Sequence, residues 1–215
     1  LTVAKKIKQV YAKHIEVAVV IGGGNIFRGI AGAKHGIDRA TGDYMGMLAT
    51  VMNGLALQDA LEKVGVPTRM QSALQMPAVA ESFIRRRAIR HMEKGRVVIL
   101  SAGTGVPYVT TDTGASLHAL ELGCDVLMKA TKVDGIFDKD PNKFKDAKRF
   151  KTLTFKDAIE MEGVEVMDTA ALAMSMDNEM PIMVFELFKG DNLLQAASGE
   201  EIGTYVSNQV QTEFA

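Results

Sequence analysis

Glu16-Val17-Ala18-Val19-Val20-Ile21 runs from one charge into five unbroken apolar positions and then stops at Gly22-Gly23-Gly24-Asn25. A strand with one wet face would alternate polar and apolar residues. An unbroken apolar run of this length, closed by glycines, predicts a strand buried on both faces of a parallel sheet. Parallel strands need long crossover connections, so the chain around this one must alternate strands with helices.

The remainder of the sequence supplies that alternation. Further strands are predicted over residues 96–100, 126–129 and 182–185, with a weaker one at 68–72 and a closing one at 205–206. Helical spacing appears at Val3, Ile7, Val10 and Tyr11, and over residues 112–123 and 168–179. Residues 42–64 carry a wide apolar stripe of Met45, Leu48, Ala49, Met52, Leu55, Ala56, Ala60 and Leu61, ended by Gly65-Val66-Pro67. Residues 138–151 are the most polar stretch and are expected to form a surface loop. The expectation is a three-layer α/β/α fold with a largely parallel central sheet, built as one domain over residues 1–215.

Charge and composition remove several classes of function. Lys and Arg total 25 against 26 Asp and Glu, a net charge of −1, which argues against a protein that wraps nucleic acid. No apolar run approaches the ~20 residues of a membrane span. The single cysteine, Cys124, excludes an internal disulfide framework and fits a reducing compartment, so a cytoplasmic location is expected. Cys124 is expected to begin an apolar strand as an inert thiol. His14, His35, His91 and His118 show no metal-ligand spacing, so no protein-bound metal is expected.

In an open α/β sheet, ligands bind beyond the carboxyl ends of the strands. Three segments follow strands here and are rich in Gly, Thr or Asp: residues 22–29, 103–112 and 131–140. Glycines allow close approach, so that successive N–H groups converge on an anion, and Arg28 offers a bidentate grip on phosphate. One such loop is an ordinary strand-to-helix turn; three point to a phosphate-bearing ligand. Familiar nucleotide signatures are absent. Ile30-Ala31 follow Gly29 where a P-loop needs Lys-Ser/Thr, and Phe27 stands where a dinucleotide fingerprint needs its third glycine. Arg85, Arg86, Arg87 and Arg90 form a basic cluster on a helix, read as a solvated face or a subunit contact. Met45, Met47 and Met52 are read as core or interface packing.

Longer motifs now stand in register. Val19-Val20-Ile21-Gly22-Gly23-Gly24-Asn25-Ile26-Phe27-Arg28-Gly29 is followed by Gly42-Asp43-Tyr44-Met45-Gly46-Met47-Leu48-Ala49-Thr50. Ala102-Gly103-Thr104-Gly105 precedes Thr110-Thr111-Asp112. Lys129-Ala130-Thr131-Lys132-Val133-Asp134-Gly135-Ile136-Phe137 leads to Asp140-Pro141, and Val166-Met167-Asp168 extends the series. In order and spacing these resemble the bacterial-type uridylate (UMP) kinases of the amino acid kinase family, over nearly the whole chain.

The resemblance implies an amino acid kinase-like fold and transfer of the γ-phosphoryl group of ATP to UMP, with Mg²⁺. It implies UMP contacts at Gly23, at Asp43 through the ribose, and along Thr104, Gly105, Val106, Pro107, Tyr108, Val109, Thr110 and Thr111. It implies ATP contacts at Gly24, Arg28, Thr131, Phe137 and Asp140. Arg28, Asp112, Asp168 and Lys129 are the candidates for catalytic roles, although either aspartate would serve equally as a helix N-cap. Asp43 is open to the same alternative. The resemblance further implies a homohexamer, activation by GTP and inhibition by UTP, with no nucleic-acid or membrane partner.

Two departures stand out. Val106 and Val109 occupy positions where the family has Asn and Phe, and Val106 offers no side-chain hydrogen bond. The family's opening Lys-x-Ser-Gly-Glu strand has no counterpart here, and the expectation is that residues upstream of Leu1 supply it. Two other readings stay open: an amino acid kinase acting on a carboxylate or carbamate, and a non-catalytic nucleotide-binding protein on the same scaffold.

Overall fold

A computed structural model describes residues 1–27, 36–161, 163, 164 and 167–215, which fall into two compact units, Leu1–Gly114 and Ala115–Ala215. Arg28, Gly29 and Val166 lie outside the described residues.

In the first unit, helix α1 (Thr2–Tyr11) buries Ala4, Ile7 and Val10, spaced by three along one face of an amphipathic helix. Strand β1 (Ala18–Val20) follows, and then the 25-residue helix α2 (Arg39–Lys63). Next come β2 (Thr68–Ser72), β3 (Glu81–Ser82), helix α3 (Arg85–Glu93) and β4 (Val97–Ser101). The sheet order is β1-β4-β2-β3 and every pairing is parallel. Fully buried β4 runs between β1 and β2, with Val20 opposite Leu100 and Ser72 opposite Ser101. The segments after β1, β2 and β4 therefore leave the sheet along one edge. Helix α4 (Thr111–Leu122) begins in this unit and continues past the boundary.

The second unit holds β5 (Leu127–Thr131), β6 (Phe150–Leu153), α5 (Phe155–Glu160) and α6 (Thr169–Asp177). It continues through β7 (Ile182–Glu186), α7 (Asn192–Ala197), β8 (Thr204–Val206) and β9 (Glu213–Phe214). Its sheet order is β5-β7-β8-β6-β9, parallel at β5–β7 and β6–β8 and antiparallel at the other two pairings. Ile136, Phe150, Leu153, Phe155, Ile182, Val184 and Val206 form its core. Across both units the described strands are mostly parallel, as an α/β chain with crossover helices requires.

Three expectations are corrected. The polar stretch does not stay a loop to residue 151: Phe150 is buried, and β6 begins there because β8 and β9 pair with it on either side. Cys124 does not open a strand. It sits in the turn after α4, its N–H donated to the Ala119 carbonyl, and β5 begins three residues later. On α2, Met45, Leu48, Met52 and Leu55 are exposed, whereas Gly42, Met47, Ala49, Thr50, Val51, Gly54, Leu57 and Leu61 are buried. Of the three methionines read as core or interface packing, Met47 is core, whereas Met45 and Met52 lie outward in this chain.

One polar network ties α3 to the sheet edge. His91 Nε2–H and Gln71 Nε2–H donate to Glu81 at 2.9 and 3.2 Å, and Arg96 donates to His91 Nδ1 at 3.0 Å. Burial pushes the Glu81 carboxyl up, but the His91 and Gln71 hydrogen bonds and the nearby Arg87 charge outweigh it, leaving it below its ordinary range. A depressed carboxylate contributes stability that is complete above its ordinary range and is lost as pH falls through the depressed value. The urea midpoints of the parent and Glu81→Gln should differ most above the ordinary carboxylate range and converge as the pH falls below it. A gap that survives to the acid end would show that this charge contributes nothing.

Candidate active site

The site of the first unit is organised by one face of α2. Asp43, Gly46, Thr50 and Asn53 are spaced by three, four and three residues, which places them on one stripe of a helix with 3.6 residues per turn. Asp38 caps this helix, its carboxylate accepting the Thr41 N–H at 3.2 Å. The cap is therefore Asp38, and Asp43, in the second turn, has its carboxylate available for other work.

The glycine segment after β1 packs directly on this stripe. A Cβ on Gly23 would lie 2.6 Å from the Gly46 carbonyl oxygen and 2.8 Å from the Ala49 Cβ, so only glycine fits there. Asn53 Nδ2–H donates to the Gly22 carbonyl at 2.7 Å and to the Asn25 side-chain oxygen at 2.6 Å. The N–H groups of Ile26 and Phe27 fold back onto the Gly23 carbonyl at 2.9 and 3.0 Å, forming a tight turn that starts the segment carrying Gly24.

The segment after β4 is fastened to the same stripe twice. Ala102 and Tyr108 both adopt left-handed backbone, φ +66° and +69°, a conformation costing a non-glycine residue about 1–3 kcal/mol. Each donates its N–H to an α2 side chain. Ala102 donates to Thr50 Oγ at 2.6 Å, and Thr50 in turn donates to the Met47 carbonyl at 2.7 Å. Tyr108 donates to Asp43 Oδ2 at 2.8 Å. Between these anchors Gly103 and Gly105 also take positive φ, and the Val106 N–H points to Thr104 Oγ at 3.4 Å. Val106, Tyr108 and Val109 are exposed, whereas Thr104, Gly105 and Pro107 are partly buried.

Sequence expectations meet mixed fortunes at the loop's end. Thr110 Oγ accepts the Thr113 N–H at 3.1 Å, so Thr110 caps α4 and Asp112 lies in the first turn instead. Thr111 opens that helix. Gly23, Asp43 and residues 104–111 are brought around α2; Arg28 lies outside the described residues.

In the second unit Lys129 and Thr131 lie on β5, with Thr131 at its carboxyl end. The Thr131 hydroxyl donates to the Val133 carbonyl at 2.7 Å and accepts the Val133 N–H at 3.1 Å, closing the turn that leads toward Phe137. Phe137 pairs with Arg149 through an isolated antiparallel bridge. The Asp140 carboxylate accepts the Asn142 N–H at 2.9 Å, which, with the Asn142 side chain and Lys143, holds it below its usual range. Asp168 caps α6, accepting the Ala171 N–H at 3.1 Å, so the capping alternative is realised there.

Thr50 and Asn53 were not legible as site residues. The signal was present: polar side chains at helical spacing from Asp43, interleaved with Gly46 and Ala49 on the narrow face of an otherwise bulky helix.

The amino acid kinase family profile matches residues 1–186. The UMP kinase of Bacillus anthracis is similar over 99% of this chain and 87% of its own, at 36% identity and a TM-score of 0.94. The UMP kinase of Ureaplasma parvum is 34% identical, covering 95% of this chain and 86% of its own, with a TM-score of 0.88. The uridylate kinase of Archaeoglobus fulgidus is 28% identical over 95% of this chain and 90% of its own, with a TM-score of 0.73.

Two substitutions test the stripe. Gly23→Ala should overpack it and lower stability by roughly 1–3 kcal/mol in urea titrations. Thr50→Val should cost about 1–3 kcal/mol by stranding the buried Ala102 N–H. Parent-like midpoints for both would mean that α2 does not hold these segments.

Proposed function

The chain belongs to the amino acid kinase family, and on that footing we propose that it transfers the γ-phosphoryl group of ATP to UMP, giving UDP and ADP. The observation that carries this reading is the doubly anchored loop of residues 104–111 beside Asp43 and the glycine turn, in a chain similar along nearly its whole length to UMP kinases. The match across residues 1–186 also supports treating the two units as parts of one amino acid kinase-like domain.

Phosphoryl transfer asks little covalent help of a protein. It needs two anions held in line and the developing charge neutralised. An oxygen of the UMP phosphate forms a bond to the γ-phosphorus while the bond to the β-phosphate bridging oxygen breaks, and ADP leaves with that electron pair. Gly23, Gly24 and Arg28 are assigned the phosphates, through amides that close packing on α2 pre-orients and through a guanidinium. Asp43 is assigned the ribose, where a carboxylate accepts two hydroxyl hydrogen bonds. Thr104, Gly105, Val106, Pro107, Tyr108, Val109, Thr110 and Thr111 are assigned the uracil and the UMP phosphate. Thr131, Phe137 and Asp140 are assigned the adenosine end of ATP. Lys129 and Asp112 are proposed to assist transfer, whereas the capping bond of Asp168 favours a structural part for that residue.

Among the described residues no group of three or more His, Cys, Asp or Glu could hold a metal ion. Mg²⁺ is proposed, on the family resemblance, to arrive as part of the nucleotide, on the phosphates and water, as that ion commonly binds.

Assembly into a homohexamer, activation by GTP and inhibition by UTP rest on the resemblance. Assembly has support in the exposed stripe of Tyr44, Leu48, Met52 and Leu55 on α2, a face that a second copy would cover. No described helix is long and apolar enough to cross a membrane, and a cytoplasmic site of action is proposed from the single cysteine.

A coupled ADP-release assay tests the reaction. UMP should be turned over with ATP, with CMP, carbamate and small carboxylates far behind. ADP release with a carboxylate alone would transfer the assignment to another amino acid kinase reaction, and nucleotide binding without turnover would make the chain a binding protein. Arg28→Ala should raise the ATP requirement by roughly 1.5–3 kcal/mol in apparent binding and leave UMP affinity nearly intact. Unchanged ATP kinetics would remove Arg28 from the site.

A further inference from the structure

Arg39 has no part in the chemistry assigned above, yet it completes a three-way contact at the mouth of α2. Its Nε–H is shared between both carboxylate oxygens of Asp43, at 3.0 and 2.9 Å. Its guanidinium carbon stands 5.6 Å from the centre of the Tyr108 ring, within cation–π range. The Tyr108 N–H donates to the same carboxylate, on Oδ2. An Arg and an Asp four residues apart on a helix would ordinarily be a surface pair of little consequence. Here the pair has a third member, and that member is a left-handed residue of the loop assigned to UMP.

The arithmetic of the carboxylate matters. An ionised Asp offers about four acceptor positions on two oxygens. Oδ2 accepts from both Arg39 and Tyr108, whereas Oδ1 accepts from Arg39 in the contacts seen. Oδ1 thus retains capacity for a sugar hydroxyl. We infer that Arg39 is a positioning residue of the nucleotide site: through the Asp43 carboxylate and the Tyr108 ring it fastens the loop and orients the acceptor, so that loop order and ribose recognition are coupled. The inference rests on the reading of Asp43 as the ribose acceptor. Arg is suited to the part because a planar guanidinium can bond a carboxylate and lie over an aromatic ring together, which a lysine ammonium does less well.

The test compares UMP with 2′,3′-dideoxyUMP, which lacks both ribose hydroxyls, by calorimetric titration of the full chain and by steady-state kinetics. Arg39→Ala should weaken UMP binding about tenfold and dideoxyUMP binding by a clearly smaller factor, the part that the loosened loop takes from both nucleotides. The effect should fall on the KM for UMP with kcat largely kept, and chymotryptic cleavage after Tyr108 should quicken. Arg39→Lys should recover part of the loss, and it serves as the informative variant if the alanine protein is unstable. Asp43→Asn provides the reference and should show the same selectivity for UMP. Equal weakening of both nucleotides by Arg39→Ala, or parent-like affinity for both, beside a selective Asp43→Asn, overturns the positioning role and leaves the ribose reading standing. An Asp43→Asn protein that treats the two nucleotides as its parent does overturns the ribose reading, and the inference with it.

Discussion

The contact on which the rest of the first unit depends is the approach of Gly23 to the backbone of α2. The space between them is smaller than a methyl group, since a Cβ there would fall 2.6 Å from the Gly46 carbonyl oxygen. The same helix makes a second close approach further along, between two and three turns before its end. A Cβ on Gly54 would meet Ser101 Oγ at 2.4 Å and Met70 Sδ at 2.5 Å, so α2 lies tight on β4 and β2 as well. A helix can be brought this near only where its inward face is small. That requirement explains why Gly42, Ala49, Thr50 and Gly54 turn inward while Tyr44, Leu48, Met52 and Leu55 turn out.

Close packing also makes the backbone strain after β4 sustainable. Two non-glycine residues in left-handed conformation would together cost on the order of 2–6 kcal/mol if nothing else held them. Each instead donates its N–H to a side chain of α2, one to a buried hydroxyl and one to a carboxylate. A hydrogen bond to a charged group contributes about 1.5–3 kcal/mol, and leaving the buried Ala102 N–H unmade would cost about 1–3 kcal/mol. These terms are of the same size as the strain, so the loop's shape follows from where Thr50 and Asp43 stand on the helix. Neither Ala102 nor Tyr108 would select that backbone by itself.

Much of this was legible from sequence, for identifiable reasons. β4 and β7 are buried strands and appear as unbroken apolar runs, whereas β1 and β5 gave the same signal and lie only half-buried, at the ends of the described strand orders. β6 was hidden because Phe150 closes a polar stretch, and what makes it a strand is pairing with β8 and β9, elements distant in sequence. Chain-local periodicity carries no information of that kind. On α2 the pattern marked the helix, but an apolar stripe does not say which of its residues face the sheet: Ala49 and Leu61 are buried, whereas Met45, Leu48, Met52 and Leu55 are exposed. The candidate site divides the same way. Glycines and Asp43 were visible as motif residues, whereas Thr50, Asn53 and Arg39 act through geometry. Mid-helix, a threonine or asparagine reads as a mildly unfavourable surface choice until a partner is seen opposite it.

Placing both segments on one helix has a consequence for how substitutions combine. Asn53 holds Gly22, Thr50 holds Ala102 and Asp43 holds Tyr108, so the two segments share a reference frame even though 75 residues or more separate their sequences. A change that moves α2 by a few tenths of an ångström shifts all three anchors together, because the helix between them is a rigid hydrogen-bonded rod. Effects of substitutions at Gly23, Thr50 and Asp43 should therefore fail to add, as expected of neighbours that share a common support. That sharing also explains why the capping task falls to Asp38. A cap must follow the fraying first turn of its helix, whereas an anchor must not, and Asp43, one turn further in, is held by hydrogen bonds on both sides of it.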